Sequence, residues 1–495
     1  MEEYVLGYDV GTTGTKVLLV DLHGTILGSA YQGYPTQRPS ALAAEQDLES
    51  VWQAGKTCIQ RLTARFPAES KQIRAIGFSG QMHGLAAVDQ AGAPVGNLIL
   101  WADRRSQEVI ESACQKIGKE TICEETGNAW STGFLAPSLL WLQTQDPARY
   151  ARIANVMLPK DYIRYRMTGE IATDRSDASA SGAFQMAKGT WAIRLLDALG
   201  LDASLFPAIH SSLEIAAPIR KACAEELGLP ADVRLIYGGG DSMMQAIGNG
   251  MAKPGSLSCN LGTAGQVAVV VPTPVHDPRF RTNTFCHVED GLWFLQGSSL
   301  NGGVALKWLK DALLHLDSYE TLDREAACAP AGSDGLLFLP YLNGERCPVQ
   351  DPNACGLYWG LRLHHTRAHL IRSTMEGILF GLYQSALLFQ EMGISWEKVI
   401  ASGGGARSPL LRQIQADLFN QPVYVCKEQE QAGFGAALCA MVGIHAYPDL
   451  AAACQALVRW ETPQTVPIAE NVAVYRERLK AFAALYPHNQ TLFKD

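Results

Sequence analysis

The sequence predicts a two-domain α/β protein, and three observations lead there. At 495 residues the chain is longer than one hydrophobic core ordinarily serves, so two large domains are the default. A short pattern occurs twice, about half a chain apart: DVGTTG at 9–14 and NLGTAG at 260–265, each between apolar runs. Apolar runs that end in glycine and pass into a helical pattern recur at 233–250 and 398–419, the alternation expected of an α/β fold.

Composition narrows the class. Apolar content of 47% and charged content of 18% describe a compact soluble protein. The net charge of −8 is spread along the chain with no basic run, which argues against a nucleic-acid partner. No apolar stretch reaches membrane-spanning length, so no membrane partner is expected. The opening MEEYVLGYDVG is acidic and enters a strand at once, unlike a signal or transit peptide. Twelve cysteines lie scattered without any CxxC pair, which predicts reduced thiols and a cytoplasmic protein.

Taken in order, residues 4–21 read strand, turn, strand: YVLGYDV, GTTGT, KVLLVD. Both flanks are β-rich, so the turn is a hairpin and not the strand-to-helix junction of a Rossmann or P-loop site. Its glycines and threonines expose N–H groups and hydroxyls that could cradle phosphate oxygens, and Asp9 at its lip could hold a metal ion or its water. A tight hairpin without a ligand is the plain alternative. The second copy at 260–265 weakens that alternative and points to a duplicated architecture, with a nucleotide triphosphate held between the two halves.

Asp47–Phe66 reads as an amphipathic helix and Gln72–Phe78 as a buried strand ending in SGQMHG, 79–84. Gln81, Met82 and His83 there offer donors and acceptors to a polyhydroxylated ligand, although a lone histidine is often structural. Trp101 in ILWADRR gives a stacking face beside hydrogen-bonding groups. Residues 156–179 read as mixed and loop-rich, a wall for a sugar but silent about chemistry. A boundary is expected near residue 245, dividing the chain into 1–244 and 245–495, with a hinge among glycines.

The stretch 238–250, GGGDSMMQAIGNG, places Asp241 directly after three glycines at the end of the apolar run Val233–Tyr237. A carboxylate delivered by bare backbone is placed for chemistry; the alternative is an aspartate capping the helix that follows. In the second half, Leu292–Gln296 reads as a strand and Gly302–Leu314 as a helix. Arg367–Met392 follows as a long core helix, and 398–419 as strand, glycine turn and helix. Pro422–Cys426 is a short strand, Ala432–Val442 a Gly/Ala-rich helix suited to close packing, and 451–495 is helical.

These stretches together resemble the FGGY carbohydrate kinases, and the resemblance spans nearly the whole chain. DVGTTGTK is similar to that family's first phosphate motif, NLGTAG to its second and SGGGARS to its adenosine motif. GLYWGLRLHHTRAHLIRSTMEG, 356–377, is similar to its C-terminal signature. The resemblance implies a two-domain actin/hexokinase-like (ribonuclease H-like) ATPase fold with the active site in the interdomain cleft. Within the family, GQMHG, LPKDYIRYRMTGE and GGGD look like the versions found in the branch that phosphorylates D-xylulose.

What the resemblance implies is a kinase using ATP and Mg²⁺ on a small sugar, with Asp241 as catalytic base. Gln81, Met82, His83, Trp101 and Ser242 would line the sugar site. Thr12, Thr13, Gly262 and Thr263 would meet phosphate oxygens, Gly303 would line the nucleotide, and Gly404 and Ser408 would flank the adenine. Asp9 and Asp241 would serve the metal through water or phosphate. The resemblance leaves room for a homodimer. Two departures stand out: Ser242 where that branch usually has Asn, and Ser138 where the N-terminal signature usually has Lys. The alternatives are a kinase of another ketose, polyol or sugar acid, and a non-catalytic nucleotide-binding regulator on the same scaffold.

Overall fold

The computed structural model describes residues 2–493. The first sheet is built from β1 (Tyr4–Val10), β2 (Gly14–Asp21) and β3 (Ile26–Gly33), followed by helix α1 (Leu48–Arg65) and strand β4 (Ile73–Gly80). Much later the chain adds β5 (Arg234–Leu235) and β6 (Gly239–Gly240). The strand order is β5-β4-β1-β2-β3, with β6 also paired to β4. β1, β2 and β3 are joined antiparallel, whereas β4 runs parallel to β1, β5 and β6. α1 begins as the sequence predicts, with Asp47 accepting a hydrogen bond from the Ser50 N–H as its cap.

The expected strand Val233–Tyr237 is shorter than its apolar run. The ladder breaks after Leu235 and resumes at Gly239, because Gly238 has a φ of 76°. A Cβ at Gly238 would stand 1.9 Å from the Phe78 carbonyl oxygen. Helix α2 (Pro159–Thr168) occupies the stretch read as loop-rich, and it opens with proline at its first turn. Helix α3 (Asp241–Gly248) leaves the first sheet directly from β6.

The second sheet repeats the first. Its hairpin is β7 (Ser256–Leu261) and β8 (Gly265–Val271), extended by β9 (Asn283–Cys286) and β10 (Trp293–Ser299). After α4 (Gly303–Trp308) and the 25-residue α5 (Arg367–Glu391), the chain adds β11 (Lys398–Ser402), α6 (Pro409–Phe419) and β12 (Val423–Val425). The order is β9-β10-β8-β7-β11-β12. As in the first sheet, a hairpin's first strand pairs antiparallel on one side and parallel on the other. The duplication read from two six-residue turns is therefore a duplication of whole sheets. α5 is buried along most of its length, as its apolar sequence predicts.

Helix α7 (Gln431–Gly443) returns from the second half to the first sheet. It is pressed between β1 and β4 on one side and α3 on the other. Glycines make that approach possible: a Cβ at Gly7 would stand 1.9 Å from the Gly433 carbonyl oxygen, and one at Gly435 would stand 1.9 Å from that of Met244. No helix among the described residues is long and apolar enough to cross a membrane.

Candidate active site

The ends of β1, β4 and β6 form one corner. Ser79 in β4 is the register partner of Asp9 in β1 and of Gly239 in β6. Its hydroxyl donates to the Asp9 carboxylate at 2.7 Å. Two residues beyond Gly239, Asp241 is the first residue of α3, and the cap position belongs to Gly240. Asp241 is therefore not the cap residue, and the Ser242 backbone N–H lowers its pKa only in part. Burial, followed by the charge of Asp9, pushes Asp241 up to about 7, against the ordinary 3.8. Burial also raises Asp9, opposed by the Ser79 hydroxyl and by Lys16. Lys16 is shared with Glu430 at 2.6 Å, a link from the first hairpin to the entrance of α7.

The first hairpin turn is braced from behind. Gln46 donates to the Thr12 carbonyl at 2.6 Å, and Gln81 donates to the Gln46 side chain at 3.0 Å. The Trp101 indole N–H donates to the Thr12 hydroxyl at 3.1 Å, so Trp101 stands at the hairpin's lip with 41% of its surface exposed. The Thr13 carbonyl accepts from Tyr31 at 3.0 Å, and its side chain is exposed. Gln46 went unnoticed in the sequence because no local pattern connects position 46 to positions 12 and 81.

Met82 lies against the backbone of Gly240, where a Cβ would be 2.7 Å from the Met82 Cγ. His83 adopts a φ of 73°, rare for a residue with a side chain. Its ring stacks on Phe134 with centroids 4.1 Å apart and leans on Phe285 from β9 at 5.9 Å. Its Nδ1 is 2.6 Å from the Ala180 carbonyl oxygen. A carbonyl only accepts, so Nδ1 carries the proton and Nε2 is left as an acceptor. Burial holds the imidazole neutral, with its pKa lowered to about 4. Ser242 makes only a 3.5 Å contact with Asp241. Ser138 is buried inside the helix Leu135–Gln145.

Beneath this corner is a charged cluster in the stretch read as loop-rich. Lys160, with no exposed side-chain surface, lies 2.7 Å from Asp161, 2.6 Å from Asp174 and 3.4 Å from Asp177. Burial would lower the Lys160 pKa, but the three carboxylates raise it well above the ordinary value. Asp177 is pushed strongly upward by burial, against the opposing charge of Lys160. Asp174 binds the hydroxyls of Ser176 and Ser212 at 2.6 and 2.8 Å, and a Cβ at Gly239 would stand 2.5 Å from the Ser176 Oγ. The cluster thus supports the backbone that delivers Asp241.

On the second sheet, Gly262, Thr263, Gly303, Gly404 and Ser408 line a single cavity of about 730 Å³. Gly303 closes on the second hairpin, its N–H donating to the Gly262 carbonyl at 2.8 Å. Nothing stands within 4 Å of a Cβ built at Gly404, which leaves that wall open. The Ser408 hydroxyl caps α6 by accepting from the Leu411 N–H at 3.0 Å. Asn260 donates to Gln245 of α3 at 3.0 Å, joining the second hairpin to the helix headed by Asp241. The structure therefore brings Asp9, Gln81, Met82, His83, Asp241 and Ser242 to one corner. Gly262, Thr263, Gly303, Gly404 and Ser408 line the cavity on the second sheet.

Glycine- and threonine-bearing turns on duplicated sheets, with a buried carboxyl at a strand end of the first, suit phosphoryl transfer to a small molecule. The chain belongs to the FGGY family of carbohydrate kinases: that family's N-terminal domain profile matches residues 4–248 and its C-terminal domain profile residues 257–444. The chain is 31% identical over 490 residues to a xylulose kinase of Bacillus subtilis, covering 99% of this chain and 98% of the relative. Two solved structures from Lactobacillus acidophilus, a gluconate kinase and a ligand-bound xylulose kinase, each superpose with a TM-score of 0.94 at 29% identity. Each alignment spans 99% of this chain and 98% of the other.

Proposed function

We propose that this carbohydrate kinase transfers the terminal phosphoryl group of ATP to the 5-hydroxyl of D-xylulose, with Asp241 as general base. The observation that carries this reading is the Asp241 carboxyl: uncapped, at a strand end, with its pKa raised to about 7 by burial and by Asp9. A sugar hydroxyl is a weak nucleophile, and a base tuned near the working pH removes its proton with the best balance of availability and strength. The proton passes to Asp241 as the new O–P bond forms. The P–O bond to the leaving nucleotide breaks, and its electron pair stays on ADP.

His83 supports a polyhydroxylated acceptor, because its neutral imidazole keeps Nε2 free to accept from a hydroxyl. Thr12, Thr13 and Thr263, with the backbone of Gly262, Gly303 and Gly404, are assigned to the nucleotide. Mg²⁺ fits the donor set: Asp9 and Asp241 are hard carboxylates, and no group of three metal-ligating side chains lies among the described residues. That matches an ion held by one or two carboxylates together with substrate phosphates. When bound it neutralises phosphate charge. We assign the protein to the cytoplasm, where its twelve free thiols would stay reduced.

The similarity to a gluconate kinase favours a second reading, in which a sugar acid takes the place of the ketose. An ATP-coupled assay over D-xylulose, D-ribulose, D-gluconate and glycerol separates them. The reading expects the highest kcat/KM with D-xylulose. A protein inert toward D-xylulose and active on D-gluconate would overturn the substrate and leave the chemistry at Asp241 standing.

A further inference from the structure

The loop 343–348 carries an arginine, Arg346. It is fixed against the end of β10 and the residues that follow by a dense set of bonds. Asn301 donates to the Gly344 carbonyl at 2.6 Å and accepts from the Asn343 N–H at 3.2 Å. The Cys347 N–H donates to the Ser298 carbonyl at 3.1 Å. Glu345, itself buried, accepts from the Ser299 hydroxyl at 2.6 Å and from the N–H groups of Leu300 and Arg346 at 2.8 and 2.7 Å. The residues that follow, Gly303 and Val304, bond the carbonyls of Gly262 and Thr263 at 2.8 and 3.0 Å. Arg346 is therefore mounted one link from the turn assigned to phosphate.

The neighbouring carboxylate makes no salt bridge with its guanidinium, although its charge acts there against burial. Glu345 is occupied by the loop's own donors, and among the described residues the Arg346 side chain forms no ion pair and no hydrogen bond. Arg346 is open to solvent, yet enough protein surrounds it that burial lowers its pKa. Its charge is felt at His83 on the opposite half. A guanidinium on a loop tied to the residues that brace the second turn, free of hydrogen-bond partners and near enough for its charge to act on His83, is available to an anion.

We propose that Arg346 is a catalytic residue that grips the phosphoryl group in transit from ATP to the sugar. The inference rests on the kinase reading above, though not on the identity of the sugar. During transfer, charge spreads over three equatorial oxygens, and a planar fork of donors matches two of them at once. Arg346 keeps its proton throughout, while Asp241 takes the proton of the sugar hydroxyl and ADP leaves with the electron pair of the broken P–O bond.

The test compares the unaltered protein with Arg346→Ala and Arg346→Lys on whichever of D-xylulose, D-ribulose and D-gluconate the unaltered protein phosphorylates fastest. Sugar-independent ATP hydrolysis is followed alongside. An error in the sugar then appears in the acceptor profile of the unaltered protein and leaves the arginine comparison intact. Arg346→Ala is expected to lower kcat by about 10³-fold, equally for every accepted sugar and for basal hydrolysis. KM for sugar and affinity for a non-hydrolysable ATP analogue should stay within a few-fold of the unaltered values. Arg346→Lys should recover part of the loss, and millimolar guanidinium should partly restore the alanine variant. A kcat retained within about threefold would overturn the proposal. So would a loss confined to D-gluconate, which would make Arg346 a reader of the sugar's carboxylate. A melting temperature matching the unaltered protein in the lysine variant excludes misfolding as the cause.

Discussion

Asp9 in β1 and Asp241, the residue that follows β6, flank the end of β4, and the charge of the first helps hold the carboxyl of the second near 7. Under the proposed function this pairing sets the pH response. As the proposed base, Asp241 must be ionised to accept a proton, so kcat/KM should rise with pH through a midpoint near 7. Asp9→Asn removes the charge that adds to burial and should move that midpoint down. An unmoved midpoint in that variant would separate the two carboxylates.

Asp241→Asn keeps size and polarity but cannot take the proton. Sugar phosphorylation should fall by about 10²-fold or more, while binding of an ATP analogue persists. The same substitution has a stability consequence. Because folding raises this acid's pKa from 3.8 to about 7, the native state binds more protons than the unfolded chain between those values. Native stability therefore falls as pH rises across that window. The asparagine variant escapes this loss, so its melting temperature relative to the unaltered protein should be higher at pH 8 than at pH 4. Turnover within a few-fold of the unaltered protein would exclude Asp241 as the base.

Thr13→Ala and Thr263→Ala should each weaken use of ATP by roughly 1.5–3 kcal/mol, the range of a hydrogen bond to a charged group. Thr12→Ala should cost more than phosphate contact alone, because it also strips the partner of the Trp101 indole. Steady-state KM for ATP measures all three. Solution scattering with sugar and nucleotide together should show compaction as the cleft closes.

Ser242→Asn should sharpen discrimination between D-xylulose and D-ribulose by about 1 kcal/mol in the ratio of kcat/KM values. A serine hydroxyl is shorter than an asparagine amide and cannot donate two N–H bonds. Kinetic constants for both ketoses in both proteins decide the point, and an unchanged ratio would remove position 242 from the sugar pocket.

Lys160→Met leaves Asp161, Asp174 and Asp177 without their shared cation in a site with no exposed surface. Breaking a buried ion pair from one side costs about 3–5 kcal/mol. A urea titration should show that loss, and a midpoint shift under 1 kcal/mol would mean the cluster is internally compensated.

The parts of this site that were legible in the sequence are those written in local pattern. The threonine turns at 9–14 and 260–265, the glycines before Asp241 and the GQMHG strand end each declare themselves within about six residues. The stretch 156–179 reads as loop-rich because its Lys, Arg and Asp break any apolar period, whereas in the fold part of it is helix α2 and Lys160, Asp161, Asp174 and Asp177 are buried together. Long-range partners were invisible for a different reason. The stacking of His83 on Phe134 and Phe285, the Gln81–Gln46–Thr12 relay and the loop of Glu345 and Arg346 join positions with no shared period.

The seating of α7 bears on how the polypeptide is made. Its residues, Gln431–Gly443, emerge from the ribosome long after β1 and β4, yet their glycines lock onto Gly7 and against Met244. Until then the first sheet lacks the helix that covers β1 and β4 on that face, and its apolar surface waits while the second sheet is made. A fragment ending at residue 255 should therefore be aggregation-prone by itself, and solubility should return when residues 256–495 are co-expressed as a separate chain.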